Sequence, residues 1–272
     1  MMKKILITGA TGGLGSQLRP RLLAAGYNVR GTSRRPVAQT QKMDSNVEWS
    51  QVDLETGEGL AEAVQGVDGI IHAASAAMPF GKTQRVDVAG TERLLHHAEQ
   101  AGVDHLFYIS IVGIDRIPFS YYRYKLATEA VIEKANLSWS ILRATQFPYL
   151  LDMFFHSLAK LPIMLVPTDF QFQLIDSGEV ANVMVQALKQ ELTGRLPDLG
   201  GPIVQTAGEL VQPWLAHQPF SRRVWHLPIP GQVGTGFRAG YNTIPERPSG
   251  TVTWADWLLQ KYGQPRLETA VS

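Results

Sequence analysis

Two side chains on one stretch of the sequence, Tyr121 and Lys125, have types and spacing that suit proton transfer. They are four residues apart, so on a helix they lie on one face, one turn from each other. A free tyrosine has a pKa near ~10, and a neighbouring ammonium group favours the phenolate and lowers that value. Tyr122 is three residues before Lys125 and lies on nearly the same face, so spacing alone leaves either tyrosine as the proton donor.

A cluster of glycines near the N-terminus predicts a binding site for phosphate groups. Gly9, Gly12 and Gly15 form a G-x-x-G-x-x-G pattern, with Gly13 as an additional glycine, between an apolar run and a helical pattern. Glycines in that setting allow a tight turn, close approach of a pyrophosphate and close packing of the helix on the strand. The pattern favours a dinucleotide site over a glycine-rich turn without a ligand. A P-loop is disfavoured because no Gly-Lys-Ser/Thr follows.

The residues at the end of the second predicted strand indicate which dinucleotide is bound. NAD-binding proteins place an acidic residue there, ~20 residues after the glycines, to hold the ribose 2′-hydroxyl. Here Ser33, Arg34 and Arg35 occupy that place, and no acidic residue occurs between Arg30 and Asp44. A hydroxyl and two guanidinium groups suit a 2′-phosphate, so the sequence predicts NADP(H) as the cofactor.

Alternating strand and helix patterns in the first half of the chain predict the elements that position these residues. The strands are predicted at 4–8, 28–33, 47–52, 69–72, 106–110 and 139–143, and the helices at 14–25, 59–65, 84–101 and 119–135. Such alternation favours an α/β fold with a doubly wound parallel sheet, the Rossmann fold. In such sheets ligands bind at the carboxyl ends of the strands.

Together these features predict hydride chemistry. A carbonyl oxygen that receives a hydride builds negative charge, which needs a proton donor within hydrogen-bond reach. Tyr121 or Tyr122, tuned by Lys125, would supply that proton. Ser110, at the carboxyl end of the fifth predicted strand, would polarise the carbonyl from the crevice where such sheets bind ligands.

The character of the sequence changes after Phe147, where the regular alternation ends. We therefore predict an NADP-binding Rossmann domain over 1–147, a smaller substrate-side region over 148–263 and a disordered tail over 264–272. The segment 149–165 is rich in aromatic residues and methionine. It forms either a hydrophobic lid over an apolar small-molecule substrate or the core of the smaller region.

Composition argues against several other classes of function. The formal net charge of +1 gives no support to a nucleic-acid or anionic-membrane partner. Cysteine is absent, which excludes disulfides and cysteine nucleophiles, and the seven histidines do not cluster, so no metal site is predicted. The apolar runs are too short for an export signal or a membrane span, and we expect a cytoplasmic protein.

Seven motifs, TGATGGLG, VDL, HAAS, VDVAGTERLLHHAEQAGV, YIS, YYRYK and ILRATQF, follow one another between residues 8 and 147. In them the chain resembles atypical or extended short-chain dehydrogenase/reductases, and in particular the NmrA-like NAD(P)-binding proteins. The family pattern Y-x-x-x-K selects Tyr121, with Ser110 completing the catalytic set and Lys125 also reaching the nicotinamide ribose. The resemblance further implies cofactor contacts from Thr11, Gly13, Leu14, Asp53, Leu54, Ala73, Ala74, Ser75, Thr145, Gln146 and Phe147.

We therefore expect an NADPH-dependent oxidoreductase that acts on a carbonyl or related unsaturated small molecule. Many NmrA-like relatives lack the tyrosine and act as sensors, so a redox sensor that binds NADP(H) and a protein partner without turnover is the alternative. A nucleotide-sugar epimerase is a third possibility. The arginines disfavour it, because such enzymes hold NAD.

Overall fold

The structure, a computed structural model, describes residues 3–76 and 83–265. The chain divides into two compact units whose segments alternate along the sequence. The first comprises Met1–Asp115, Phe119–Arg143 and Ser177–Pro197, and the second comprises Arg116–Pro118, Ala144–Asp176 and Asp198–Ser272. Residues 177–197, which the sequence analysis assigned to the smaller region, thus belong to the same unit as the glycine cluster. From residue 266 onward, the tail predicted to be disordered lies outside the described residues.

The described residues form the following elements. The strands are β1 (Lys4–Thr8), β2 (Asn28–Ser33), β3 (Glu48–Gln51), β4 (Gly69–His72), β5 (His105–Ile111), β6 (Ser138–Ala144), β7 (Ile163–Val166), β8 (Gln171–Gln173), β9 (Gly194–Arg195), β10 (Val204–Thr206) and β11 (Arg223–His226). The helices are α1 (Gly13–Ala24), α2 (Val37–Gln41), α3 (Leu60–Ala63), α4 (Ala89–Gln100), α5 (Ser120–Ile132), α6 (Pro148–Leu158), α7 (Ser177–Lys189), α8 (Ala207–Ala216), α9 (Gly231–Arg238) and α10 (Trp254–Tyr262). A single π-helical turn, Gln84–Val88, leads directly into α4.

The first unit is built on a parallel sheet with the strand order β3-β2-β1-β4-β5-β6-β9. The first six positions are the order of a doubly wound Rossmann sheet, which confirms the predicted fold class. From β1 the chain first adds β2 and β3 on one side, and then returns to add β4, β5 and β6 on the other. β1 and β4 pair directly, at Ile5 and Gly69 among other positions. This is the point at which such sheets open a crevice for ligands.

Apolar residues of the central strands are buried because helices cover both faces of the sheet. Leu6 of β1 and Leu106 of β5 join Leu94 of α4 in one core cluster of the first unit. Elsewhere in this unit α7 packs against α1, where the Arg21 Nε donates to the Asn182 Oδ1 at 2.7 Å. α7 thus follows β8 of the second unit in the sequence but is part of the first unit.

The second unit has its own core around the buried Trp214 of α8. Its strands form two small sheets, with β8 antiparallel to β10 and β7 parallel to β11. The apolar segment 149–165 contributes Leu151, Phe155 and Met164 to this core, while Met153 on the same helix is exposed. The buried half of that segment is thus core of the second unit. Among the described residues, no helix combines the length and apolar composition that crossing a bilayer requires.

Candidate functional site

The glycine cluster forms the tight turn between β1 and α1. Gly9 has a φ of +68°, and its carbonyl accepts a hydrogen bond of 2.9 Å from the Gly12 N–H. A Cβ atom at Gly9 would lie 2.8 Å from the backbone of Ala74, and one at Gly15 would lie 2.3 Å from the Gly9 oxygen. Gly12 caps α1 without a side chain, so the first N–H groups of the helix remain open to an anion.

A cavity of about 500 Å³ lies at the carboxyl ends of β1, β2, β3 and β4, next to this turn. Ten of the predicted cofactor residues line it: Gly9, Thr11, Gly12, Ser33, Arg34, Asp53, Leu54, Ala73, Ala74 and Ser75. Five lining residues were not predicted: Thr32, Val52, Glu55, Ala76 and Val86. Four of them, Thr32, Val52, Glu55 and Ala76, are next to predicted residues in the sequence and could have been predicted from the same strand ends, whereas Val86 precedes α4 and could not.

The remaining predicted residues of the turn and of the basic segment lie beside the cavity. Gly13, Leu14 and Gly15 form the first turn of α1. The two arginines separate: Arg34 lines the cavity, whereas the Arg35 guanidinium contacts the Met43 sulfur at 3.8 Å. One cation of the predicted pair is therefore placed at the cavity.

The carboxylates of the cavity already have partners. The Asp53 Oδ1 accepts a hydrogen bond of 2.7 Å from the Glu55 N–H, and Glu55 forms an ion pair of 2.9 Å with Arg85. Their negative charge is thus partly compensated, while Arg34 adds positive charge at the end of β2. Open helix N–H groups, close-packed glycines and this charge balance suit a phosphate-bearing ligand such as a dinucleotide.

Tyr121 and Tyr122 differ in where α5 places their hydroxyl groups. The Tyr121 oxygen lies 3.0 Å from the Oγ of Ser75, a residue that lines the cavity. Tyr122 is only 1% exposed, and burial raises the pKa of its hydroxyl. Sequence spacing did not separate the two, whereas their surroundings favour Tyr121 as the group that can reach a ligand.

Lys125 and Ser110 lie deeper, between α5 and β5. The Lys125 Nζ donates to the Ile109 carbonyl at 3.0 Å and stands 4.2 Å from the centre of the Tyr108 ring. Burial lowers the pKa of Lys125 to about 8, against the opposing effect of carboxylates that include Glu129. The Ser110 hydroxyl is buried without a well-formed hydrogen bond, yet it is close enough to Glu129 to help lower the pKa of that carboxyl.

Asp87 is a member of this site that the sequence analysis did not select. It lies in the π turn before α4, and its carboxylate accepts hydrogen bonds from the Ser75 hydroxyl at 2.5 Å and the Ala76 N–H at 2.8 Å. Only 2% of Asp87 is exposed. The sequence held one indication of this. At helical spacing Asp87 shares a face with Thr91 and Leu94, which are buried, and an acidic residue is unexpected on such a face.

Thr145, Gln146 and Phe147, also predicted to contact the cofactor, belong to the second unit. Within it the Thr145 N–H donates to the Leu199 carbonyl at 2.9 Å, and Phe147 stacks on Tyr149. Their role toward a ligand stays a prediction. In the part of the chain that is described, no three His, Asp or Glu side chains are grouped so that they could hold a metal ion.

A family model described as NAD(P)H-binding matches residues 9–191. A 3-beta-hydroxysteroid dehydrogenase from Mycolicibacterium neoaurum is 32% identical over 117 residues, which cover 39% of this chain and 31% of that protein. The match thus spans about a third of the length of this curated relative.

Several solved structures are similar along almost the whole chain. An NADPH-dependent quinone oxidoreductase from Escherichia coli, complexed with NADPH, has a TM-score of 0.75 at 17% identity and covers 95% of this chain and 99% of its own. A UDP-glucuronic acid 4-epimerase from Bacillus cereus, in complex with UDP-glucuronic acid and NAD, has a TM-score of 0.73 at 20% identity and covers 95% and 98%. At these identities the likeness establishes the fold.

Proposed function

The chain belongs to the NAD(P)H-binding family, and on that premise we propose that it is an NADPH-dependent oxidoreductase with Tyr121 as its proton donor. Its substrate is a small molecule with a carbonyl or related unsaturated group. The observation that supports this most directly is the 3.0 Å contact between the Tyr121 hydroxyl and Ser75. It puts a phenol beside a cavity whose glycine turn suits a dinucleotide.

When bound, NADPH supplies the hydride. The work of the chain's own residues is to bind, orient and move a proton. Tyr121 donates the proton from its hydroxyl to the substrate oxygen as negative charge develops there. Lys125 keeps a positive charge beneath the site, and Ser110 offers a hydroxyl at the end of β5.

The choice of NADP(H) over NAD(H) is also part of the proposal, and Arg34 supports it. Arg34 lines the cavity at the end of β2, where NAD-binding proteins carry an acid. Ser33 beside it contributes a hydroxyl oxygen, although that oxygen already accepts from the Arg35 N–H at 3.1 Å. A 2′-phosphate would gain a charge-assisted hydrogen bond from Arg34, whereas a 2′-hydroxyl would not.

The proposed catalysis is tested with Tyr121→Phe. NADPH oxidation is followed by absorbance with a panel of aldehydes, ketones and quinones, and cofactor binding is measured by fluorescence titration. Removing a general acid should lower kcat about 100- to 10,000-fold, with little change in the Kd for NADPH.

Tyr122→Phe is the matched control, because it removes a hydroxyl from the adjacent position of the same helix. We expect it to retain turnover within about threefold, since its buried hydroxyl does not reach the cavity. Full activity in Tyr121→Phe would refute the assignment of the proton donor. Tight NADPH binding with no oxidation of any panel member would favour the sensor function instead.

The proposed cofactor preference is tested with Arg34→Ala and Arg35→Ala. Loss of a charge-assisted hydrogen bond to phosphate should raise the Kd for NADPH about 10- to 100-fold in Arg34→Ala and leave the Kd for NADH unchanged. Arg35→Ala removes the neighbouring charge, which does not line the cavity, and should have a much smaller effect. Equal affinity of the native protein for NADPH and NADH would contradict the preference.

A further inference from the structure

Asp87 is linked to Tyr121, the proposed proton donor, through one intervening hydroxyl in the wall of the cavity. Ser75 lies between the two: its Oγ is 2.5 Å from the Asp87 Oδ2 and 3.0 Å from the Tyr121 oxygen. The other carboxylate oxygen, Oδ1, accepts from the Ala76 N–H. The bond from Ala76 is enough to account for a structural role of Asp87 in holding the backbone. The bond from Ser75 is not accounted for by that role.

The direction of these hydrogen bonds follows from the chemistry of the groups. An ionised carboxylate only accepts, so the single hydroxyl hydrogen of Ser75 points to Asp87. The Ser75 oxygen then has only lone pairs to offer Tyr121, and the phenol must donate its hydrogen to Ser75. The hydrogen that Tyr121 would give to a substrate is thus held in place by an acceptor.

A second set of buried hydrogen bonds fixes the backbone of Asp87. The Thr91 hydroxyl donates to the Asp87 carbonyl at 2.5 Å, so its oxygen accepts from the His72 Nε2–H at 2.9 Å. The His72 Nδ1 then accepts from the Thr8 hydroxyl at 2.6 Å, directly before the glycine turn. Burial lowers the pKa of His72 to about 3, so this arrangement keeps one neutral form at every ordinary pH.

We propose that Asp87 is a positioning residue that acts through Ser75: it makes the Ser75 oxygen an acceptor, which keeps the Tyr121 hydroxyl protonated and aligned beside the cavity. The proposal rests on the proposed function, in which Tyr121 is the proton donor. Asp87 touches neither substrate nor cofactor in this scheme. It strengthens the hold of Tyr121 on its proton. Lys125, a cation on the same helix as Tyr121, has the opposite effect and favours the phenolate.

Other titratable groups share this environment. Asp87 and Glu129 both favour the charged form of Lys125, and burial, with the negative charge of Asp87 as a further cause, raises the pKa of Tyr108. Among the described residues, Lys125 and Tyr108 feel the charge of Asp87, and Tyr108 and Tyr122 feel that of Tyr121. Glu129 and His72 join the same neighbourhood through Lys125. Asp87 differs from them in being joined to Tyr121 by hydrogen bonds through the single hydroxyl of Ser75.

Asp87→Asn tests the proposal because it is nearly isosteric and reverses the polarity at Ser75. The amide oxygen can still accept from Ala76, while the amide NH₂ donates to the Ser75 oxygen and frees the Ser75 hydrogen to turn toward Tyr121. Loss of the negative charge and gain of a donor both favour the phenolate. We expect the pKa of Tyr121 to fall by about one to two units.

The pKa is measured on the full chain without cofactor or substrate, by NMR of ¹³Cζ-labelled tyrosine, with Tyr121→Phe to assign the resonance. Glu92→Gln is the matched control, since it removes an exposed carboxylate from the first turn of α4. It should leave the Tyr121 pKa unchanged. Ser75→Ala removes the acceptor but keeps the charge of Asp87, so it should lower the Tyr121 pKa by less than Asp87→Asn does.

A Tyr121 pKa in Ser75→Ala equal to the native value would overturn the proposal, even if Asp87→Asn lowers it, because the charge of Asp87 would then act without Ser75. If Asp87→Asn does not fold, Ser75→Ala decides alone, and an unchanged Tyr121 pKa in it is again the contrary result. The titration needs no substrate and is independent of turnover. Full activity of Tyr121→Phe would therefore defeat the proposed catalysis while the titration still judged the hydrogen-bond direction.

Discussion

Lys125 is a lysine that the fold buries almost completely, with 3% of the residue exposed. Its ammonium has the Ile109 carbonyl and the Tyr108 ring as neighbours, which together replace water only in part. Burial therefore lowers its pKa from 10.5 to about 8. A lysine in this state is charged at neutral pH and close to losing its proton in mildly alkaline solution.

This shift makes stability depend on pH in a defined window. Between about pH 8 and 10.5 the unfolded chain holds a proton on Lys125 that the folded chain has released, so stability rises with pH there. Relative to Lys125→Met, the native protein should gain roughly 3 kcal/mol in the free energy of unfolding from pH 7.5 to 10.5. Urea unfolding at several pH values measures this difference.

Lys134→Met, at an exposed lysine shortly after α5, serves as the comparison for the general loss of a lysine. Its unfolding free energy should run parallel to that of the native protein across the same range. If the curve of Lys125→Met is parallel as well, the pKa of Lys125 is not lowered in the folded protein.

Single residues also mark the limit of what the sequence could predict about the site. Glycine spacing and strand ends identified most of the cavity, because they follow from local backbone geometry. The choice between Tyr121 and Tyr122 and the role of Asp87 depend on which hydroxyl or carboxylate meets Ser75 across two elements. Residue spacing within one helix holds no information about that contact.

At the level of elements, the close approach of α1 to the β1 turn depends on Gly15. A Cβ atom there would lie 2.3 Å from the Gly9 oxygen and 2.7 Å from the Ala10 Cα, so the helix would have to move away. Gly15→Ala should therefore lower the free energy of unfolding by about 2–3 kcal/mol and weaken NADPH binding, since the helix N-terminus shifts with it.

Gly26→Ala is a suitable comparison, because Gly26 follows the same helix and has open space around it. Its φ of +85° makes alanine unfavourable by about 1 kcal/mol, without any steric clash. We expect this variant to bind NADPH normally. A Gly15→Ala protein that is as stable as Gly26→Ala would show that α1 can adjust without loss.

Elements with regular patterns were predicted well, and irregular ones were not. The six predicted strands match β1 to β6 within one residue at each end. β1, β4 and β5 carry buried apolar runs that are typical of central strands. The predicted helix 84–101 begins instead with a π turn over Gln84–Val88. The apolar spacing of a helix does not distinguish the two, and this turn is the element that bears Asp87.

For the molecule as a whole, the sequence predicted the doubly wound sheet but not how the chain is divided. The change in composition predicts a break near Phe147. It does not show that the segment Ser177–Pro197, which follows part of the second unit in the sequence, belongs to the first unit. The return of α7 is fixed by packing against α1 and by the bond from Arg21 to Asn182, 161 residues apart in the chain. Contacts over such distances have no local signature.

β9, the strand that ends the sheet, consists of two residues, Gly194 and Arg195, which pair with β6 at Ser140 and Ile141. Arg195 is anchored by ion pairs of 2.9 Å to Glu129 and 2.8 Å to Glu133. Without β9, this part of β6 would offer unpaired backbone N–H and carbonyl groups to the strands of other molecules. At this edge, a two-residue strand that one arginine holds in place therefore covers backbone groups to which a strand of another molecule could otherwise pair.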